Sequence, residues 1–476
     1  MIAATLPSAP VLAAACLGAL VVIAALALLM RSDPRAFPVL AVLALPFRLP
    51  ISADGRTVNL LLPLYAVVAA GALVHLLPRM FASSVRAGSE RGAGDLDAAS
   101  TVADEDRPAG WRAAVYERRH PAIALDWLLL AAVVLYALQS VYSADIGKAA
   151  ENLAFFYVPF GLLYLLLRDA PWTRRLLLTC LGVAVVLALL FAGVGFIEYF
   201  RKALFLNPKV VAANEYDNYF RVNSLFFDPS IYGRFLALVM IAVTTAVLWA
   251  RERREQLIGA GVLTWLLLGL ITSFSQSSIA ALLLGLAVLA AWRWDVRSTA
   301  YVALALAAIA LVVVVAAPPS LHFGLKGSGG SANNATSGRT KLISGGLKLF
   351  ADRPLQGFGS GSFETQYKRH GGGSAQNATS ASHTIPITVA AEQGIVGVAL
   401  YVALVVVALL TLFAGAGRSP PRIALAAGFA ALVLHTWVYA DFLEDPITWT
   451  LLGVGVALSL ARISAPAEDE LACATT

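Results

Sequence analysis

Apolar runs of roughly 17–25 residues recur along almost the whole of this chain, parted by short charged islands. Each run is long enough to cross about 30 Å of hydrocarbon as a helix. In hydrocarbon a backbone N–H or C=O has no water to bond, so a spanning segment must satisfy its own polar groups. That excludes a lipid-facing open sheet and leaves helices. Composition agrees: 59% of the 476 residues are hydrophobic and 13% are charged, where a soluble domain carries about 25% charged residues. The sequence therefore predicts an all-α, polytopic helical membrane protein.

Spans are predicted near 11–30, 36–50, 58–77, 122–141, 152–167, 175–198, 230–250, 257–273, 277–292, 299–316, 385–413, 423–440 and 446–463. This gives about 12–13 helices, the second of them short and bounded by prolines. The first run has no basic residue before it and is long for a signal peptide, so it reads as a retained helix. Cys16, Cys180 and Cys473 lie far apart, and no Cys/His spacing suggests a metal. The net charge of +6 sets topology in a membrane protein and does not require nucleic acid.

Basic islands fix the orientation. Arg31/Arg35, the arginines of 79–121, Arg168/Arg174/Arg175, Arg251/Arg253/Arg254, Arg293/Arg297 and Arg418/Arg422 all fit one cytoplasmic side. Residues 1–316 then form a transmembrane bundle interrupted by a cytoplasmic linker at 79–121. Residues 317–384 form a large outer loop. Residues 385–476 form the last spans and a short cytoplasmic tail. Segments 47–57, 142–151 and 199–229 also fall outside. From Pro318 to Thr384 the outer loop holds seven Lys/Arg against two acids, and three of the six histidines. A cationic loop held over a membrane bundle suggests an anionic substrate that sits in the membrane.

Four stretches can carry chemistry. Asp228-Pro229 reads as a helix start, Asp as cap and Pro at the first helical position. It places Arg234 just inside the membrane, where arginine needs a partner, either a structural one such as Asp228 or a substrate phosphate. Arg221 precedes it among aromatics. Thr272-Ser-Phe-Ser-Gln-Ser-Ser278 forms the polar tip of a helical hairpin. Its Ser275 and Gln276 either bond substrate oxygens or cap helix ends. Arg339 opens an amphipathic segment with apolar Leu342, Ile343, Leu347, Leu349 and Phe350, expected to lie on the membrane surface. Arg353-Pro354 ends it, and Gly357-Phe-Gly359-Ser-Gly361 then reads as a turn or as a backbone cradle for a phosphate. His383 stands before a helix start, where the positive helix end favours a neutral imidazole, the form a general base needs.

In their order along the chain these pieces resemble the O-antigen ligase and polymerase superfamily of bacterial membrane glycosyltransferases. The likeness rests on Phe220-Arg221-Val, Asp228-Pro229, the hairpin tip, Arg339, Asp352-Arg353-Pro354-Leu-Gln-Gly357-Phe-Gly359, Phe363, His383 and Glu392-Gln-Gly394-Ile-Val-Gly397. The hairpin tip departs from the family, reading Ser275-Gln276 where Ser-Arg is frequent. The resemblance implies a multi-pass bacterial inner-membrane enzyme working on its periplasmic face without cofactor or metal. Its donor is a glycan on polyprenyl (undecaprenyl) diphosphate. Its acceptor is lipid A-core in a ligase or a growing glycan in a polymerase, with membrane lipids around and no nucleic acid. Arg221 and Arg339, helped by Arg48, Arg234 and Arg353, would hold the diphosphate, and His383 would take the acceptor's proton. A lipid-linked glycan flippase is the rival reading, and it expects internal repeats and charges at the midplane that the chain does not display.

Overall fold

The computed structural model describes residues 9–53, 56–78, 121–205, 220–294, 297, 339–370, 382 and 384–460. Fifteen α-helices occur among the described residues. From the N-terminus come α1 (Ala9–Ser32), α2 (Ala36–Ala44) and a hairpin of β1 (Leu49–Ala53) and β2 (Arg56–Leu60), then α3 (Leu62–Gly71). Next are α4 (Pro121–Ser140), α5 (Ile146–Asn152), α6 (Val158–Arg168) and α7 (Arg174–Arg201). The middle of the chain holds α8 (Pro229–Trp249), α9 (Arg253–Thr272) and α10 (Gln276–Arg293). Two short outer helices follow, α11 (Arg339–Asp352) and α12 (Phe363–Arg369). The chain ends in α13 (Ile385–Phe413), α14 (Pro420–Val438) and α15 (Pro446–Leu460). A π turn, Leu153–Tyr157, joins α5 to α6 into one continuous rod.

Eight of these rods are long and apolar enough to cross a membrane, and three shorter apolar helices accompany them. The predicted spans at 122–141, 175–198, 230–250, 257–273, 277–292 and 385–413 all coincide with such helices. The span at 299–316 and the linker 79–121, save its last residue Pro121, fall outside the described residues. The span at 36–50 is corrected. Its helix, α2, has only nine residues, about 13 Å of rise, and Pro46 follows just after its end. The chain turns instead into an antiparallel hairpin, Leu49 pairing with Leu60 and Ala53 with Arg56. The two strands satisfy each other's backbone groups, so this small piece sits within an otherwise helical protein.

Two apolar cores share one helix. The first joins α1–α4, α6, α13 and α15 around Phe37, Leu64, Phe160, Trp449 and Leu452. The second joins α7–α10 around Phe191, Phe226, Tyr232 and Leu236. Helix α14 contributes Ala426, Phe429 and Val433 to the first and Ile423, Ala427 and Ala431 to the second. Those two sets recur at helical spacing, so opposite faces of one rod weld the halves together. A third, small core sits outside: Leu342 and Leu349 of α11 meet Phe363 and Tyr367 of α12 and Ala391 of α13. Helix α11 thus turns Leu342 and Leu349 to protein, while Leu347 of the same stripe stays exposed. Gly345 and Gly346 permit this, because a Cβ there would stand 2.3 Å from the Tyr367 ring and 2.5 Å from Ile387.

Candidate functional site

The site is built where the outer loop meets α13. That helix is broken at Gly394 (φ 65°, ψ −160°), and the break exposes backbone groups that an intact helix would bond internally. The segment 354–363 docks on them. The Ile395 N–H donates to Pro354 O (2.8 Å), Phe358 N–H to Ala391 O (3.1 Å) and Gly359 N–H to Glu392 O (2.8 Å). The Glu392 carboxylate completes the interlock. Its Oε2 accepts from Gly361 N–H (2.9 Å) and its Oε1 from Phe363 N–H (3.0 Å). The glycine-rich turn does hold a side chain, through the Gly361 N–H, and it is this protein's own buried Glu392 carboxyl group. Gly357, Gly359 and Gly361 all have positive φ, which glycine adopts without steric penalty.

The end of α4 seals the joint from the other side. Tyr142 OH donates to Gln356 O (2.8 Å), Ser143 Oγ to Ser360 O (2.7 Å) and Ser360 Oγ to Tyr136 O (3.1 Å). Helix α13 and the end of α4 therefore hold one outer segment between them. Helix α11, which Arg339 begins, is carried on it.

A second group lies beside the first core. Arg234 is 1% exposed, and its Nη2 is 2.6 Å from Asp445 Oδ2. Its Nη1 donates to Asp441 O (3.2 Å). Asp445 Oδ1 in turn accepts the Ile447 N–H (3.0 Å) at the start of α15. Asp228 caps α8 as expected, taking the Ser230 N–H (2.6 Å), but the partner of Arg234 is Asp445 and not Asp228. The guanidinium is a post that holds the loop between α14 and α15, residues 439–445.

The hairpin tip packs against this region. Ser275 caps α10, accepting the Ser278 N–H (3.4 Å) and lying 2.8 Å from Ser278 Oγ. Ser277 and Ser278 hydroxyls lie 3.3 and 3.2 Å from His435 Nε2 on α14. Gln276, the first residue of α10, is exposed. Of the two readings of the tip, Ser275 realises the cap. Ser275→Ala is expected to lower stability by about 0.5–2 kcal/mol, read as a drop in the thermal unfolding midpoint of the purified protein. Arg221 is half-buried and donates from Nε to Ser273 O (3.4 Å), and the adjoining Val222 N–H bonds Thr272 O (3.2 Å). The Arg221 segment is thereby pinned to the hairpin tip.

Arg48 stands at the mouth of β1, within electrostatic range of Asp441, Glu444 and Tyr65. Arg353 is exposed, its guanidinium 4.7 Å from the Phe358 ring centroid. Arg339 is the first residue of α11. His383 lies outside the described residues. The residues flanking it are held: Ser382 N–H donates to Thr388 Oγ1 (3.0 Å) and Ser382 Oγ to Thr384 O (2.7 Å).

Sequence reasoning overlooked the acidic stretch Asp441, Glu444 and Asp445, and it overlooked His435. A signal for both was present: three carboxylates within five residues between two apolar runs, and a histidine inside one of those runs. Burial pushes the Glu444 carboxyl up to about 7, with Asp441 raising it further and Lys148 and Arg48 opposing. Asp441 is likewise raised by burial, against the pull of Arg234 and Arg48. Among the described residues no group of three or more His, Cys, Asp or Glu is arranged to hold a metal.

Residues 261–402, from α9 through the hairpin tip and outer loop into α13, match the family model described as O-antigen ligase. The match spans 142 of the 476 residues and is a likeness to the O-antigen ligase and polymerase superfamily. The matched segment contains the whole Glu392 interlock. A search of curated proteins finds no match. The match supports an O-antigen ligase-type or related polymerase function, and the long apolar helices indicate a multi-pass membrane protein.

Proposed function

We propose that this protein is a membrane glycosyltransferase. It moves a glycan from polyprenyl diphosphate to an acceptor hydroxyl on the periplasmic face of the bacterial inner membrane, and the acceptor is lipid A-core. The observation that carries the reading is the interlock: within the matched region, Glu392 and the broken helix α13 hold the loop bearing Arg339 against the bundle. A loop anchored at this many points is what a preorganised electrostatic site requires.

The donor is already activated, so the chemical task is small. The acceptor oxygen forms a bond to the anomeric carbon as the bond from that carbon to the diphosphate oxygen breaks. The diphosphate leaves as an anion, and Arg221, Arg339, Arg353 and Arg48 are the cations assigned to it. The acceptor's proton passes to His383 in this reading. A single in-line displacement inverts the anomeric centre. No metal is needed to balance the leaving charge when arginines do so.

The test is the product. Purified protein given a labelled polyprenyl-diphosphate glycan and lipid A-core is expected to yield one glycan joined to the core, with inverted anomeric configuration by NMR and undiminished yield in EDTA. Retained configuration rules out the single displacement. A product ladder of glycan multiples on the carrier lipid, with core untouched, assigns a polymerase instead.

A further inference from the structure

Beneath the interlock a pocket opens between α4, the π turn after α5, α13 and the 439–445 loop. Its walls include the rings of Tyr136, Tyr157, Tyr401 and Phe442 and the carboxyls of Glu392 and Glu444. Below them the lining becomes aliphatic with Val389, Leu400 and Leu404. The two carboxyls differ in kind. Both oxygens of Glu392 are engaged by backbone N–H groups. Glu444 Oε1 accepts from Asn152 Nδ2 (2.9 Å), whose amide also donates to Tyr136 OH (2.9 Å). Glu444 is half-buried, and among the described residues no hydrogen bond to its Oε2 is found, which leaves one carboxylate oxygen for a ligand.

Charge decides which ligand. Glu444 faces Asp441 on its own loop, Glu151 and Lys148 on α5, Arg48 before β1, Glu392 on α13 and Tyr136 and Tyr157 on its walls. Near neutral pH the burial-raised carboxyls of Glu444 and Asp441 are partly neutral, and Lys148 and Arg48 offset the charge that remains, so the pocket has no surplus of cations to draw a diphosphate in. A neutral, hydroxyl-bearing ring needs none. Its C–H faces lie well against aromatic rings, and its hydroxyls make short, strong bonds to a carboxylate. Ile385 and Thr388, two and five residues beyond His383, line the same pocket.

We propose that this pocket is the acceptor subsite: it takes a sugar ring of the acceptor glycan, with one hydroxyl bonded to Glu444, while the anionic donor head stays with the arginines outside. The word acceptor rests on the glycosyltransferase reading; the sugar-binding pocket itself does not. An acceptor ring held here lies in the pocket that the start of α13 lines, close in sequence to the proposed base.

The test is binding by full-length protein in detergent, by isothermal titration. The probes are the core oligosaccharide released from lipid A, the repeat-unit oligosaccharide released from its carrier, and undecaprenyl diphosphate. One oligosaccharide is expected to bind, and which one binds separates a core acceptor from a growing glycan. Glu444→Gln keeps the bond from Asn152, and it is expected to weaken that oligosaccharide at least tenfold. Leu400→Trp, which fills the pocket from α13, is expected to do the same. Both leave undecaprenyl diphosphate within twofold. Wild-type affinity for the sugar falls as pH drops through about 7, where Glu444 is protonated, and the Glu444→Gln profile is flat. The proposal is overturned if neither oligosaccharide binds wild type, if both variants bind it unchanged, or if diphosphate affinity falls in step. Pocket-dependent sugar binding without any glycan transfer leaves the subsite standing and removes the glycosyltransferase reading.

Discussion

Arg234→Ala is expected to lower stability by about 3–5 kcal/mol, because it leaves Asp445 as an uncompensated buried charge. Both residues are 1% exposed, so water cannot take over the missing partner. The same change frees the carbonyl of Asp441, to which Nη1 donates, and loosens the start of α15, where Asp445 takes the Ile447 N–H. Thermal unfolding in detergent is the readout. Arg234→Lys is expected to fall between, since a single ammonium lacks the planar fork that reaches a carboxylate and a carbonyl together. Replacing both partners by apolar residues of similar size is expected to recover much of the loss, since no lone charge then stays buried. If Arg234→Ala unfolds like wild type, the guanidinium is not a structural post, and the phosphate-binding role regains ground.

Gly394→Ala is expected to be nearly as severe, and its damage is confined to the outer loop. A residue with a Cβ at φ 65° and ψ −160° is strained by about 1–3 kcal/mol. The added carbon would also stand 2.3 Å from Leu355 O, so segment 354–363 must lift away. With it go the Pro354, Phe358 and Gly359 bonds and the seat of Glu392. Limited proteolysis is expected to cut the outer loop well before the bundle unfolds, and glycan transfer is lost with it. Glu392→Gln, which offers one acceptor oxygen in place of two, is expected to show the same pattern more mildly. Unchanged proteolysis in Gly394→Ala contradicts the interlock.

Most of the spanning helices were legible because lipid imposes a length and a polarity that a single sequence displays. Local caps were legible for a similar reason: Asp228-Pro229 and Ser275 act within three residues of themselves. What sequence reading missed depends on distance along the chain. Nothing near Arg234 announces Asp445, and nothing near Gly357–Gly361 announces that the turn holds the Glu392 carboxyl group. The nine-residue α2 was misread because its apolar run continues past the helix into a turn and strand that composition does not mark. The apolar stripe of α11 is divided, Leu342 and Leu349 meeting Phe363 and Tyr367 while Leu347 stays exposed, and an amphipathic pattern looks alike whether its apolar partner is a bilayer or protein. The pocket at Glu444 needed four separate elements to be assembled before its walls existed.

The most direct test of the central claim is transfer of a labelled glycan from polyprenyl diphosphate by purified protein in detergent with EDTA, comparing wild type with His383→Ala and Arg339→Ala. The expected result is transfer by wild type and at least a hundredfold loss in each variant, roughly the scale of a missing general base or charge-stabilising donor, with unfolding midpoints unchanged. Undiminished transfer in His383→Ala would remove the proposed base. Absence of transfer by wild type, together with movement of the lipid-linked glycan across a bilayer containing the protein, would contradict the glycosyltransferase account and favour a flippase.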